Sequence, residues 1–340
     1  MRSLLSLSAT SKKPMMRAAF AIAVTSAVCF ASAAASAQAL KITHQWPAQD
    51  SDPRHAAMQF LAQEIGKAGV GLSATVHGGE SLLKSREQWG ALQSGAIDIA
   101  LVAADGSKHV PETQLALIPG IVGSTQDAAR AEKSPAMQKI RKLVEDSGVR
   151  MMSGLWAPGG IGSTGECVTE PAHLEGKATR APGEALEALF AASGGTKVDL
   201  PSTQITNALK TGALDVVATS LQTFHASKVW GELKCLTVPG DKGLVWIRFG
   251  INVSKASWNK LNDAQKKALD TAVEKTVAYW NEIGGKADKA SIDAYRENGV
   301  KIMPMTAAQY AKWRALSEKA VFPDQAKRVP DGAQLIQALR

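Results

Sequence analysis

Residues 91–99 read ALQSGAIDI, and residues 208–216 read ALKTGALDV. Eight of the nine positions carry the same or a closely similar residue in the same order, 117 positions apart. In each copy a helical pattern ends at a glycine, which suits the left-handed backbone of a helix end, and a short apolar strand follows. The sequence therefore predicts one kind of βα unit built twice, in two lobes.

The segments around the first copy alternate between the two regular patterns. Apolar and polar residues alternate as in strands over 40–46 and 72–77, and an apolar strand covers 97–103, while 54–67 and 84–94 have the spacing of helices. Strand, helix, strand, helix, strand predicts a parallel sheet with right-handed crossovers. Two such α/β lobes, with the repeated strands near their junction, are the architecture of a hinged binding protein.

The C-terminal third has a helical pattern. Asn262 followed three residues later by Gln265 resembles a capping box, and an apolar face continues from there along a long helix. We expect Gly284-Gly285 to break or kink that helix. A short strand over 300–303 and a last helix over 306–318 complete the pattern, and several crossing strands are expected to join the lobes.

The N-terminus has the three parts of a secretory signal peptide. Basic residues begin it, residues 18–35 are apolar and small, and A-x-A patterns end at Ala37 and Ala39. The sequence predicts export to the periplasm with cleavage near 37–39, so that residues 1–39 form the signal peptide. A retained membrane anchor is the alternative reading.

The charge of the remaining chain argues against a nucleic-acid partner. Residues 1–39 carry four basic residues and no acid, so removing them lowers the net charge from +8 to +4. This charge is spread along the chain, whereas nucleic-acid binding needs a clustered basic face.

Two cysteines remain once Cys29 leaves with the signal peptide. An isolated pair in an exported protein indicates one disulfide, here between Cys167 and Cys235; two buried free thiols are the alternative. No second Cys or His stands at ligand spacing near either residue, so no metal site is expected.

The patterns that mark catalysis are missing. Residues 160–165 read GIGSTG, a formal GxGxxG after an apolar strand, but 166–171 (ECVTEP) cannot open the helix that would hold a pyrophosphate. Those glycines instead favour close passage of the backbone against something bulky. The six histidines form no i, i+4 pair, and no GxSxG is present. We expect no enzyme, no catalytic residue and no cofactor.

One arginine has a position that suits a ligand. In LEGKATRAPGEAL, residues 174–186, Arg180 lies where a short strand gives way to a loop before a helix. Small ligands bind at such strand ends, and arginine holds a carboxylate through two parallel hydrogen bonds. The alternative is an exposed arginine on a loop. Trp46, Trp156 and Trp246 end or lie in predicted strands and could pack in the core or wall a cleft.

Five segments taken in order carry a family resemblance. They are GGESLLKSREQWGALQSGAIDIAL from Gly78, LEGKATRAPG from Leu174, LPSTQITNALKTGALD from Leu200, SKASWNKLNDAQKKAL from Ser254 and ENGVKIMPMTAAQY from Glu297. Over nearly all of the mature chain the sequence resembles the periplasmic solute receptors of TRAP transporters, the DctP type. The resemblance implies a two-lobed α/β fold with a hinge-spanning strand and a long C-terminal brace helix. It also implies a monomer that binds an organic acid and delivers it to TRAP membrane subunits.

The resemblance also implies roles for single residues. The carboxylate-binding arginine of the family falls on Arg180, and its first-strand polar contact falls near Gln45, with Trp46 beside it. Thr219 stands where the family commonly has asparagine, and Ser202 where it has an aromatic residue. A second arginine, common in the family, is missing from residues 157–162.

The missing second arginine and the replaced asparagine and aromatic residue favour a particular class of ligand. A second carboxylate without a cation would be costly to bury, so we expect a monocarboxylate with an apolar or aromatic part. The three tryptophans would wall the pocket around it. Arg248 or Lys84 could still reach the cleft and accommodate a diacid.

The expected lobes comprise residues 40–155 with about 216–252, and about 156–215 with 253–340. An ABC-type binding protein is an alternative that the long helix argues against. A periplasmic enzyme and a sensor that partners a membrane kinase are two others.

Overall fold

The computed structural model describes residues 38–103, 106 and 108–340. The predicted signal peptide lies outside the described residues, except that Gln38 and Ala39 belong to the first strand. Among the helices of these ranges, none has both the length and the apolar character needed to cross a bilayer.

The described residues form strands and α-helices, with successive helices at the C-terminal end. The strands are β1 (Gln38–Thr43), β2 (Leu72–His77), β3 (Ile99–Ala103), β4 (Val149–Ser163), β5 (Ala178–Arg180), β6 (Thr196–Lys197), β7 (Val216–Ser220), β8 (Cys235–Val238), β9 (Trp246–Ser254) and β10 (Lys301–Pro304). The helices are α1 (Pro53–Lys67), α2 (Gln88–Ser94), α3 (Thr125–Lys133), α4 (Pro135–Asp146), α5 (Glu184–Ala192), α6 (Ile205–Lys210), α7 (Leu221–Ser227), α8 (Lys255–Lys260), α9 (Asp263–Glu297), α10 (Ala307–Ala320), α11 (Phe322–Lys327) and α12 (Gly332–Leu339).

The strands form one sheet path in the order β2-β1-β3-β9-β4-β7-β5-β6, with β8 beside β4 and β10 beside β8. The pairs β1–β2, β1–β3, β5–β6 and β5–β7 are parallel, as the pattern predicted. The pairs that β4 and β9 make are antiparallel. A mixed two-part α/β sheet confirms the fold class.

The long strand β4 belongs to both parts of the sheet. Its residues 149–158 pair with β9, and residues 159–163 pair with β7. We call β2, β1, β3, β9 and the start of β4 the first half, and the remaining strands the second half. A strand that runs through both halves matches the hinge-spanning strand that the family resemblance implied.

The strand pairing differs from the expected lobe boundaries. Residues 216–252 were grouped with the first lobe, but β7 pairs with β5 and β4, and β8 pairs with β4 and β10, all in the second half. Only β9 returns to the first half, where it lies between β3 and β4. We therefore propose that the first-lobe segment begins near Trp246, because the repeated segment that ends in β7 builds its own half.

The repeated segment makes the same structure twice. Gly95 after α2 has φ +75° and Gly212 after α6 has φ +71°, the left-handed backbone that glycine tolerates. Each copy then enters a strand, β3 or β7, that pairs in parallel with the last strand but one before it, β1 or β5. The twofold βα architecture is therefore present.

Helix α9 braces the molecule. Its capping box is formed, with Gln265 N donating to Asn262 Oδ1 at 2.9 Å and Asn262 N donating to Gln265 Oε1 at 3.0 Å. The predicted break at Gly284-Gly285 is wrong, since the helix continues for 35 residues. Tertiary contacts hold it across the glycines: Trp280 Nε1 donates to the carbonyl of Trp156, and Ser291 Oγ donates to the carbonyl of Leu221.

Two further features of β4 and its surroundings agree with the sequence. Cys167 and Cys235 form a disulfide that ties the loop after β4 to β8. Two glycines of the formal GxGxxG lie within β4 and Gly165 lies after it, and residues 164–170 form no helix. A Cβ on Gly162 would lie 2.7 Å from Leu233 and 2.9 Å from Phe224, so the glycine at this position allows close packing.

Candidate ligand-binding cleft

A cleft of about 290 Å³ lies where the two halves of the sheet meet. It is lined by residues that follow β1, end β3, β5 and β7, and begin β9. The carboxyl ends of parallel strands carry loops whose side chains can converge on a ligand, because the regular backbone bonding stops there. Six of the seven predicted site residues line this cleft: Arg180, Gln45, Trp46, Thr219, Ser202 and Trp246.

Arg180 ends β5 and is held by backbone carbonyls. Its Nε donates to the carbonyl of Leu200 and its Nη1 to the carbonyl of Ala218, both at 3.2 Å. Burial lowers the pKa of this guanidinium to about 10, although the carboxylates of Glu187 and Asp199 favour its charge. It is therefore a cation at neutral pH. Within the described ranges no carboxylate lies at salt-bridge distance from it, so its charge is available to an anion in the cleft.

Gln45 and Ser202 meet across the cleft. Gln45 follows β1 in the first half, Ser202 precedes α6 in the second, and Gln45 Nε2 donates to Ser202 Oγ at 2.8 Å. This side-chain contact between residues 157 positions apart joins the two walls. Thr219 lies near the end of β7, at the same edge as the carbonyl that holds Arg180.

The tryptophans divide between two places. Trp46 is buried in the cleft wall, edge-on to Phe249 with ring centroids 4.9 Å apart, and Trp246 also lines the cleft. Trp156 does not line it, contrary to the prediction. Its Nε1 donates to Glu132 Oε2 at 3.0 Å, and its carbonyl accepts from Trp280 of α9. A strand residue next to the hinge packs against helices as readily as it faces a ligand.

Neither cation proposed as a second anchor reaches the cleft. Arg248 is 8 % exposed and donates to Glu132 from Nε at 3.0 Å and from Nη2 at 2.9 Å. Burial opposes ionisation of Glu132, but attraction and hydrogen bonding from Arg248, with Arg141 and Trp156, lower its pKa to about 2. Arg248 is thus already neutralised. Lys84 lies on the exposed surface beside Glu80.

Other charged residues line the cleft that the sequence did not single out. Arg86 lies in a short 3₁₀ helix (Ser85–Glu87) before α2, where a continuous helix was predicted, and it contacts Asp199 of the second half at 3.3 Å. Lys197 pairs with Glu187 at 2.7 Å, and Lys108 also lines the cleft. These charges lie in short elements or turns and follow no periodic pattern, so nothing in the sequence distinguished them.

A buried polar network lies behind Trp46. Arg54 is 0 % exposed, and its guanidinium lies 4.8 Å from the centre of the Trp46 ring. It donates to both carboxylate oxygens of Asp52, at 2.9 and 2.6 Å, and to Thr223 Oγ1 at 2.7 Å. Asp52 also caps α1, so the residues Asp52-Pro53-Arg54 form a helix start, and this local pattern carries no information about the link between the halves.

A histidine pair lies beside that network. His44 and His55 share one hydrogen bond of 2.9 Å between Nε2 and Nδ1. Burial, with the charge of His55, lowers the pKa of His44 to about 4. His44 is therefore neutral at neutral pH. In the part of the chain that the structure describes, no group of three or more His, Cys, Asp or Glu residues is placed to hold a metal ion.

Comparisons with known proteins agree with this architecture. The model of the family described as bacterial extracellular solute-binding protein, family 7 (DctP), matches residues 42–325. The chain belongs to this family. Its members are extracytoplasmic solute receptors rather than enzymes, and the resemblance to TRAP solute receptors is confirmed.

Individual DctP relatives cover almost the whole chain. A solute-binding protein of Albidiferax ferrireducens is 28 % identical over 313 residues, 90 % of this chain and 92 % of that one. The crystal structure of a TRAP periplasmic solute-binding protein from Rhodoferax ferrireducens, with bound malonate, is 26 % identical. It covers 88 % of this chain and 96 % of its own, with a TM-score of 0.85.

A more distant DctP structure shows the same fold. DctP7 of Bordetella pertussis, an extracytoplasmic solute receptor binding pyroglutamic acid, is 21 % identical with a TM-score of 0.79. It covers 89 % of this chain and 100 % of its own. This chain therefore shares its fold with a receptor structure to which it is only 21 % identical.

Proposed function

We propose that this DctP-family receptor binds an organic acid in the cleft, with Arg180 holding the carboxylate. The observation that carries the proposal is a half-buried arginine whose Nε and Nη1 donate to backbone carbonyls and whose charge has no carboxylate at contact distance among the described residues. A bound carboxylate would supply the missing counter-charge. Gln45, Thr219 and Ser202 add hydrogen-bonding groups around it.

The wider role follows from the family. TRAP solute receptors pass their ligand to TRAP membrane subunits, so we propose the same partners here and a monomeric receptor. We also propose export to the periplasm with cleavage near residues 37–39. Cleavage after Ala37 fits the fold better, because Gln38 N already donates to the carbonyl of Gly71 at 2.9 Å in β1.

The apolar walls support one carboxylate as the ligand class. Trp46, Trp246 and Phe249 offer apolar area, and burial of such area contributes roughly 25 cal/mol per Å². Neither Arg248 nor Lys84 supplies a second anchor. We therefore propose a monocarboxylate with an apolar or aromatic part.

A short dicarboxylate is the second candidate. The Rhodoferax ferrireducens structure holds malonate, and Arg86 and Lys108 add cations to the cleft of this chain. A thermal-shift screen of matched mono- and dicarboxylates separates the two. Stabilisation by dicarboxylates or hexuronates alone would contradict the monocarboxylate assignment.

Replacement of Arg180 tests the site itself. Arg180→Lys keeps the charge but loses the planar pair of donors. We therefore expect the binding free energy for the acids found in the screen to become less favourable by about 2–5 kcal/mol. Lys84→Ala is the matched control, because it removes a cation that lies outside the cleft. Lys84 is exposed and paired with Glu80, so its loss should cost no more than about 1 kcal/mol. Titration calorimetry that finds Arg180→Lys within about threefold of wild type would remove Arg180 from the site.

A further inference from the structure

Thr223 brings a hydroxyl group to the floor of the cleft. It lies in the first turn of α7, the helix that starts directly after β7, and its side chain lines the cleft at 6 % exposure. Arg180 donates to the carbonyl of Ala218 in the same strand. The hydroxyl and the guanidinium are therefore presented from neighbouring parts of one βα junction.

Arg54 fixes what the Thr223 hydroxyl can do. A guanidinium only donates hydrogen bonds, so the contact of 2.7 Å from Arg54 Nη1 requires Thr223 Oγ1 to accept. Asp52 holds the other side of the guanidinium through two bonds, and the carbonyl of Gln222 accepts from Nη2 at 3.4 Å. Arg54 is buried among these acceptors, so its guanidinium is held in one orientation.

Ser220 occupies the second lone pair of Thr223. Ser220 Oγ accepts from Thr223 N at 3.1 Å as the N-cap of α7, and it donates to Thr223 Oγ1 at 2.9 Å. A hydroxyl group has two acceptor lone pairs and one proton. Arg54 and Ser220 use both lone pairs, so the proton of Thr223 Oγ1 has no acceptor among these partners. Both residues line the cleft, but Ser220 is 0 % exposed, whereas Thr223 keeps 6 % exposure through which its hydroxyl can reach a ligand.

We propose that Thr223 is a specificity-determining residue that donates its hydroxyl proton to an uncharged oxygen of the bound acid. Arg54 is the positioning residue behind it. The ligand class is thereby narrowed to acids that carry a hydroxyl or carbonyl oxygen in addition to the carboxylate. This inference rests on the proposed function, since Arg180 is taken to hold the carboxylate.

Matched acid pairs that differ by one oxygen test the inference. The probes are 2-hydroxyisovalerate and 2-oxoisovalerate against isovalerate, and 3-hydroxybutyrate against butyrate, titrated calorimetrically into the mature protein. The wild type should prefer the oxygen-bearing member of at least one pair by about three- to tenfold, the worth of one hydrogen bond. Thr223→Val should bring that ratio close to one, and Thr223→Ser should preserve it.

The ratio of the affinities for the two acids of a pair separates hydrogen-bond donation to the ligand from structural damage. Thr223→Val also deprives Arg54 of an acceptor, so both members of a pair can lose affinity, and melting temperatures show how far folding is affected. Only the ratio reports the bond to the ligand. A wild type without preference in any pair, or a Thr223→Val variant that keeps its preference, would overturn the inference.

Arg180→Lys in the same titrations distinguishes failure of the carboxylate assignment to Arg180 from failure of hydrogen-bond donation by Thr223. If acids bind equally well to Arg180→Lys, the carboxylate assignment and the inference that rests on it both fail. If Arg180→Lys binds weakly but Thr223→Val leaves the ratio unchanged, only the inference fails. If no acid binds the wild type, both fail.

Discussion

Asp98 and Asp215 stand at the same place in the two copies of the repeated segment, and each supports its own half of the sheet. Asp98 Oδ2 accepts from the backbone N–H of Lys41 in β1, and Asp215 Oδ2 accepts from that of Ala178 in β5, both at 2.8 Å. Each carboxylate thus ties its strand to the neighbouring parallel strand. The repeat in the sequence corresponds to a repeat in hydrogen bonding.

The two units differ in what they present beyond that point. Two residues after Lys41 stands Thr43, which is buried, and the chain continues to Gln45 and Trp46 before it turns away. Two residues after Ala178 stands Arg180, which ends its strand. The first unit therefore contributes a neutral amide and an aromatic wall, and the second contributes the cation. The comparison teaches that the repeat preserves strand-to-strand bonding while the strand ends are free to specialise.

The largest expected difference between the halves comes from the disulfide. Cys167–Cys235 lies in the second half and closes a loop with a sequence separation of 68. Replacing both cysteines by serine should reduce the free energy of unfolding by about 4 kcal/mol, mainly because the unfolded chain gains freedom. Urea titrations of oxidised mature protein and of the double variant measure this. Hydrogen exchange should show loss of amide protection in β7 and β8 before β1 and β2. A uniform loss of protection would mean that the two halves do not unfold independently.

Local patterns predicted the elements, and long-range contacts decided where their side chains point. The capping box at Asn262 follows from neighbouring residues, and the disulfide follows from residue type. The parallel β1–β3 and β5–β7 pairs follow from the order of strand and helix patterns. Gly284 failed as a helix breaker because packing of α9 on both sides outweighs the cost of about 1 kcal/mol for a helical glycine.

The site shows the same limit. The position of Arg180 followed from a strand end and from the family resemblance. The contact of Arg54 with Thr223 joins residues 169 positions apart, and no spacing rule in a single sequence reports it. Trp156 was assigned to the cleft because a tryptophan in a strand gives no sign of which face is covered; Glu132 and α9 cover it here.

The two aspartates offer a sharper test of the repeat. The carboxylate of Asp98 accepts a second bond from Ser257 Oγ of α8, whereas that of Asp215 accepts one bond, from Ala178 N, among the residues that the structure describes. With hydrogen bonds to charged groups worth about 1.5 kcal/mol each, Asp98→Ala should cost about 3 kcal/mol and Asp215→Ala about 1.5 kcal/mol. Asn replacements keep one acceptor and serve as controls. Equal costs in chemical denaturation would mean that the Ser257 contact adds nothing.

The smallest expected difference concerns the two helix-ending glycines. Both have positive φ, where an alanine costs about 1 kcal/mol or more. A Cβ on Gly212 would meet no atom within 4 Å, so Gly212→Ala should cost only that backbone term. A Cβ on Gly95 would lie 3.3 Å from Ala256 Cβ, which requires α8 to shift, and we expect Gly95→Ala to cost about 2 kcal/mol. Adding Ala256→Gly should remove the crowding and bring the further cost of Gly95→Ala down to the Gly212→Ala value. A double-mutant cycle measured by thermal unfolding checks this. If Gly95→Ala costs the same with alanine or with glycine at position 256, the difference between Gly95→Ala and Gly212→Ala comes from backbone strain alone.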